Sequence, residues 1–217
     1  MKSCGSLQMK EICETISKLD SISGTSSSSN PAILFSILYL ISKDPKKGRI
    51  QISRILATSE QIVRNAIRRL SELEFLTSNG RVKNVRTPIA EAMKCLFVRR
   101  LIAHIETLGW ENPLLVGFYL SNGRKLKIGE VLEIRDEIIK WGGNAAIVFS
   151  VMGKTIDVPG VEVLREIEEV LKEEGKRKNN GIYALVSSKY DYNDFFIFYG
   201  FVKKVCELQS HSENIEL

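Results

Sequence analysis

The segment from Gly48 to Pro88 constrains the fold most, because helical and extended periods alternate within it at short range. Arg49-Ile50-Gln51-Ile52 predicts a short extended piece, Ser53 to Leu56 one or two helical turns, and Ala57-Thr58 a tight turn. Thr58 or Ser59 can then cap a longer helix, since a hydroxyl there accepts one of the free N–H groups of the first turn. In that helix Ile62/Val63, Ile67, Leu70 and Leu73 form the buried stripe, and Glu60, Gln61, Arg64, Asn65 and Arg68 form the opposite face. Phe75 to Ser78, Asn79-Gly80 and Arg81 to Val85 predict a hairpin, because Asn-Gly tolerates the positive φ angles of a two-residue turn.

Charge is concentrated in the same place. The whole chain carries 31 basic and 26 acidic residues, a net charge of +5. Residues 46–86 hold ten basic side chains against three acidic ones, whereas residues 99–217 hold 16 against 18. The excess therefore belongs to the first half, at a density that suits the phosphates of a duplex. Gln61 and Asn65 each carry the donor and acceptor pair that matches adenine, and Arg64 the fork that guanine accepts. Arg81 and Lys83, at the hairpin tip, can reach a minor groove or its phosphates. Arg54, Ser59, Arg68 and Arg69 complete the expected DNA-contacting set. The alternative is a solvated basic face on a module used for protein contacts.

The order of helix, short strand, helix, turn, helix and basic hairpin is that of a winged helix-turn-helix. Val63, Ile67-Arg68-Arg69-Leu70 and Phe75-Leu76 resemble the V-x-x-x-L-R-R-L-E-x-x-G-L-I signature of archaeal and bacterial winged-helix regulators. Arg86-Thr87-Pro88-Ile89-Ala90 resembles the L-T-x-K-G start of the helix after the wing. Glu74 stands where the signature has glycine, and Thr87-Pro88 replaces its glycine-ended motif. The resemblance covers residues 31–95. It implies a DNA-binding transcriptional regulator, in which the helix after the wing commonly dimerises the protein or connects to a second domain.

Around this segment the expected organisation has four parts. Residues 1–30 hold a short amphipathic helix over 7–19 and a linker, Ser21 to Asn30, with six serines and no charge. Residues 31–108 hold the winged helix: Pro31 to Ile41 is a helix apolar around most of its circumference, and Pro88 to Leu108 a long connecting helix stopped by Gly109. Residues 109–208 form an α+β domain, and residues 209–217 a tail. In that domain Leu114 to Leu120, Gly129 to Trp141, Ala145 to Val151, Thr155 to Val158, Pro159 to Glu174 and Gly181 to Ser187 alternate as β-α-β-β-α-β. The order fits a ferredoxin-like sheet or a small open α/β sheet with a hairpin edge. Residues 190–206 hold seven of the 17 aromatic residues, at a spacing that suits a helix, with a strand as the alternative. Gly129, Arg135-Asp136, Gly142-Gly143 and Val158-Pro159-Gly160 resemble the C-terminal domain that archaeal regulators pair with a winged helix.

Other chemistries find little support. Cys4, Cys13, Cys95 and Cys206 form no Cys-x-x-Cys pair, and His104 and His211 are the only histidines, so zinc-ligand spacing is absent and neither a metal nor a cofactor is expected. Cys95 reads as a reduced, core-packed thiol in an apolar helical stretch, and a reducing cytoplasm is the simplest compartment. No apolar run approaches the ~20 residues of a membrane span, and the start of the chain lacks a signal peptide. The loop Ser121 to Gly129, with Asn122, Arg124, Lys125 and Lys127, could hold a small anionic effector at a helix start together with Arg135, although a solvated loop is the plainer reading. The expectation is a cytoplasmic, homodimeric DNA-binding regulator without enzymatic activity, whose second domain senses a small molecule or mediates dimerisation. An enzyme with its active site in residues 110–205, or a winged-helix protein-interaction module, are the alternatives.

Overall fold

The computed structural model describes residues 4–22, 30–79, 82–121, 123–153, 155–160, 165, 168–169 and 180–213. The protein is α+β and divides into two units. One spans Leu7–Lys94, and the other joins Met1–Ser6 to Cys95–Leu217.

In the first unit, α1 (Ser6–Ser21) buries Ile12, Ile16 and Leu19, the positions its helical period selects. Residues 23–29 of the expected serine-rich linker lie outside the described residues. Helix α2 (Pro31–Lys43) starts where Asn30 Oδ1 accepts from the N–H groups of Ala32 and Ile33, at 2.9 and 3.4 Å, with Pro31 in the first turn. Its residues 32–41 are all buried, and it packs against α4 (Glu60–Glu72), β2 (Val82–Val85) and α5 (Thr87–Met93).

The expected extended piece at Arg49 to Ile52 is instead the start of α3 (Arg49–Ile55). Two β-branched isoleucines favour a strand locally, but Gly48 N–H donates to Gln51 Oε1 at 3.0 Å and closes the first turn. Helix α3 ends in a Schellman motif. Thr58 N–H reaches Ser53 O at 2.9 Å, Ala57 N–H reaches Arg54 O at 3.3 Å, and Ala57 takes φ 44°. Helix α4 ends the same way through Phe75 N–H to Leu70 O (2.9 Å) and Glu74 N–H to Ser71 O (3.1 Å), with Glu74 at φ 59°. The glycine missing from position 74 is thus replaced by a residue that bears left-handed strain. β1 (Leu76–Asn79) pairs antiparallel with β2, and the ladder runs to Asn79 opposite Val82, so Asn79 belongs to the strand rather than the turn.

The predicted helix from Pro88 to Leu108 is not present. α5 stops at Met93, and Leu96-Phe97-Val98 enter a strand, β3 (Leu96–Arg100), because they pair with β6 (Leu114–Tyr119). The boundary between units therefore falls at residue 94 rather than 108. Between β3 and β6 lie two short strands, β4 (His104–Ile105) and β5 (Trp110–Glu111), which pair around Gly109 at φ 63°.

The second unit continues with α6 (Ile128–Lys140), β7 (Ala145–Met152), β8 (Thr155–Asp157), β9 (Gly181–Ser187) and α7 (Asp194–Glu213). The predicted helix over Pro159 to Glu174 falls largely outside the described residues; 165, 168 and 169 are helical. The sheet order is β3-β6-β9-β7-β8, antiparallel throughout. A ferredoxin-like sheet would put the second hairpin strand between the first two strands; here β9 takes that central place and β8 the edge. The open α/β alternative fails too, since no neighbouring strands run parallel among the described residues. The aromatic segment resolves as α7, which buries Ile197, Phe198, Tyr199, Phe201, Val202 and Val205 against α6 and the sheet and runs on into the expected tail, to Glu213. Trp141 meets Tyr199 edge-on at 5.1 Å, and Lys204 bridges Glu207 at 2.6 Å and Glu133 at 3.7 Å. The hydrogen bond to Glu207 raises the Lys204 ammonium above its ordinary range.

Cys95 is not a helical thiol. It closes a disulfide with Cys4, Cα to Cα 5.7 Å, while Tyr119 N–H donates to Cys95 O and Ser121 N–H to Cys4 O. Ninety-one residues separate the two cysteines, a distance that hid the pairing, and the thiol argument for a reducing compartment loses its basis. Among the described residues no helix is long and apolar enough to cross a membrane.

Candidate nucleic-acid interface

Helix α4 is amphipathic: Val63, Ala66 and Leu70 are buried, and the charged residues fall on the other side. Ser59 is its N-cap, with Oγ accepting from Ile62 N–H at 3.2 Å, so this hydroxyl is engaged in holding the helix start. Beyond the cap, Gln61 and Arg64 are exposed and Asn65 half-buried. Gln61 Nε2 donates to Asn65 Oδ1 at 3.0 Å, so the two amides stand side by side one turn apart.

A groove of about 780 Å³ runs along one flank of this helix. Its floor is apolar, made by Ile41, Pro45 and Ile67, and its walls carry Lys46, Lys47, Arg49, Arg64, Arg68 and Lys83. Three separate elements supply those cations: the turn and first residue of α3, the exposed face of α4, and β2 of the hairpin. Acidic groups answer only part of this charge. Glu60 Oε1 lies 3.4 Å from Arg49 Nη2 and 3.3 Å from Arg64 Nη2; Glu72 takes Arg68 at 3.8 Å and Arg69 at 3.5 Å; Asp44 takes Lys47 at 3.4 Å. Lys83 Nζ donates to Ser78 Oγ at 2.5 Å across the hairpin. The pairs of Glu60 and Glu72 are exposed and loosely held, so a competing anion displaces them at little cost, whereas Asp44 and Lys47 are half-buried.

The arrangement brings together Arg64, Arg68 and Lys83 of the expected set, with Gln61, Asn65 and Arg69 on the same helix. Arg54 is exposed on α3 and does not line the groove, and Arg81 lies outside the described residues. Lys46, Lys47 and Arg49 belong to the basic excess of the sequence but not to the expected contact set. Their joint placement follows from α3 beginning at residue 49, which the extended reading missed.

Arg124 pairs with Glu130, Lys125 lies 3.7 Å from Asp157, and Arg135 donates to Asp136. The start of α6 is already capped, with Glu130 Oε2 accepting from Lys127 N–H at 2.7 Å. Three of the cations of the expected anionic-effector set thus face carboxylates, no ion pair is found for Lys127 among the described residues, Arg124 Nη1 is buried without a hydrogen bond, and Asn122 lies outside the described residues. Among the described residues no cluster of three or more His, Cys, Asp or Glu is placed to hold a metal ion.

The chain matches no protein-family model and no curated protein. Its structure is similar to that of the hypothetical protein PH0730 from Pyrococcus horikoshii OT3, with a TM-score of 0.57 and 18% identity. The alignment covers 82% of this chain and 92% of that one, and the likeness is one of fold.

Proposed function

We propose that residues 31–94 are a winged helix-turn-helix that binds double-stranded DNA, and that the protein is a transcriptional regulator. On this reading α4 is the recognition helix in the major groove and the β1–β2 hairpin is the wing. One observation carries it: the six-cation groove lies beside the polar face of α4 that offers Gln61, Arg64 and Asn65. Phosphates following the groove would supply the salt-dependent part of affinity, and the α4 face the directional donors for base edges. One such helix spans few base pairs, so the regulator acts as a homodimer, with the sheet unit the element left for dimerisation. Sensing a small anionic molecule at the loop before α6 is the other role for that unit, with Arg124, Lys125 and Lys127 as its cations.

Gel shift or fluorescence titration against genomic fragments tests the reading. Arg64→Ala should weaken a selected site far more than random duplex, and Lys83→Ala should weaken both alike. Absence of duplex binding at low salt would sink it.

A further inference from the structure

We propose that Glu60 reads a base: with Oε1 turned toward Arg49 and Arg64, its Oε2 accepts from the exocyclic amine of a cytosine in the major groove. The inference rests on the reading of α4 as the helix that enters that groove. Glu60 is the first residue of α4, fixed by the Ser59 cap immediately before it, and it is 39% exposed at the side chain. The nearest guanidinium contacts fall on Oε1, at 3.4 Å from Arg49 and 3.3 Å from Arg64, and no hydrogen bond to Oε2 is found among the described residues.

A carboxylate that faces two of the groove's six cations lowers affinity for any phosphate backbone, so it is informative that it sits at the leading turn of the helix rather than behind it. An ionised carboxylate is acceptor-only. Of the bases, adenine offers an amine beside the N7 acceptor, which would repel a second oxygen, whereas cytosine offers N4–H2 with no acceptor of its own alongside. Arg64, already touching Glu60 one helical turn on, presents donors that suit O6 and N7 of the guanine in the same pair. The two side chains together are complementary to one C·G pair, and Arg49 from α3 lies beside the same carboxylate oxygen as Arg64.

Selection of bound duplexes from random sequence, with the full chain and its Glu60→Gln and Glu60→Ala variants, tests this. The wild type should enrich one C·G pair at a fixed position. Glu60→Gln, with a donor and an acceptor, should move that position toward A·T by about tenfold in relative affinity. Glu60→Ala should weaken the selection there to what Arg64 alone provides through the guanine, and should bind random duplex several-fold tighter at low salt. Unchanged base preferences in both variants, with wild-type binding intact and salt-dependent, would overturn the role of Glu60 and leave the DNA-binding reading standing. No duplex binding by the wild type would overturn both.

Discussion

Arg100 on β3 and Asp194 at the start of α7 meet across 94 residues of chain, with Nε donating to Oδ2 at 3.2 Å. The same guanidinium donates to Ser188 Oγ at 2.7 Å and Asn112 O at 3.0 Å, and lies 3.0 Å from Asp191. Arg100 is 20% exposed and Asp194 13%, so the pair is largely desolvated. Burial pushes the Asp194 carboxyl above the ordinary carboxylate range, against the downward pull of Arg100. Arg100→Met removes that pull and strands the charge, with an expected loss of about 3 kcal/mol at neutral pH. A group whose folded pKa is raised is least harmful when protonated, so the loss should shrink as pH falls through the carboxylate range. Urea unfolding at pH 7 and pH 4 checks this, and equal losses at both would contradict it.

Glu74→Gly should stabilise the first unit by about 1 kcal/mol, because φ 59° costs an L-residue roughly that much. The substitution also removes the ion pair of Glu74 with Arg86 at 3.8 Å, but those side chains are 83% and 52% exposed and their pairing contributes little. Ala57→Gly, at φ 44°, should act in the same direction. A lowered urea midpoint in either variant would show that the left-handed turns are not strained.

Those two turns also show how far the fold was legible in the sequence. The missing glycine at 74 marked the turn by its absence, and the apolar stripe of α4 and the hairpin followed from period and turn chemistry. Residues 88–108 misled because Leu96, Phe97 and Leu101 keep a helical spacing by coincidence, while the chain there pairs as a strand with β6. Local pattern carries no information on such a partner, nor on Cys4 finding Cys95. The cationic groove was legible as charge and not as a place, since its shape depends on α3 beginning at Arg49.

Gly117 of β6 is paired with Phe97 on one side and Tyr183 on the other, and a Cβ there would lie 2.0 Å from Phe97 Cε1 and 2.8 Å from Tyr183 Cδ1. Phe97 stacks on Tyr119 and Tyr183 on Phe149, at centroid distances of 5.4 and 5.6 Å. Gly117→Ala should therefore cost about 1–3 kcal/mol through overpacking, read as a lower melting temperature with reduced near-ultraviolet dichroism. A neutral result would mean that the rings move aside freely.

Cys4→Ser opens a loop of 91 residues that encloses the whole of the first unit. Loop-closure entropy sets the expected loss at up to about 4 kcal/mol. Thermal melts of wild type and variant without reductant measure it, and coincident melts would show that the bridge contributes nothing.

If duplex DNA occupies the groove beside α4, the cations of that groove must set how binding responds to salt. The decisive quantity is the slope of log affinity against log salt for wild type and an Arg68→Ala/Lys83→Ala double variant, titrated by fluorescence anisotropy on one duplex. The wild type should weaken linearly as salt rises, and the double variant should bind less tightly with a slope shallower by about two, one for each phosphate contact removed. Identical slopes, or wild-type binding indifferent to salt, would refute duplex binding at this groove.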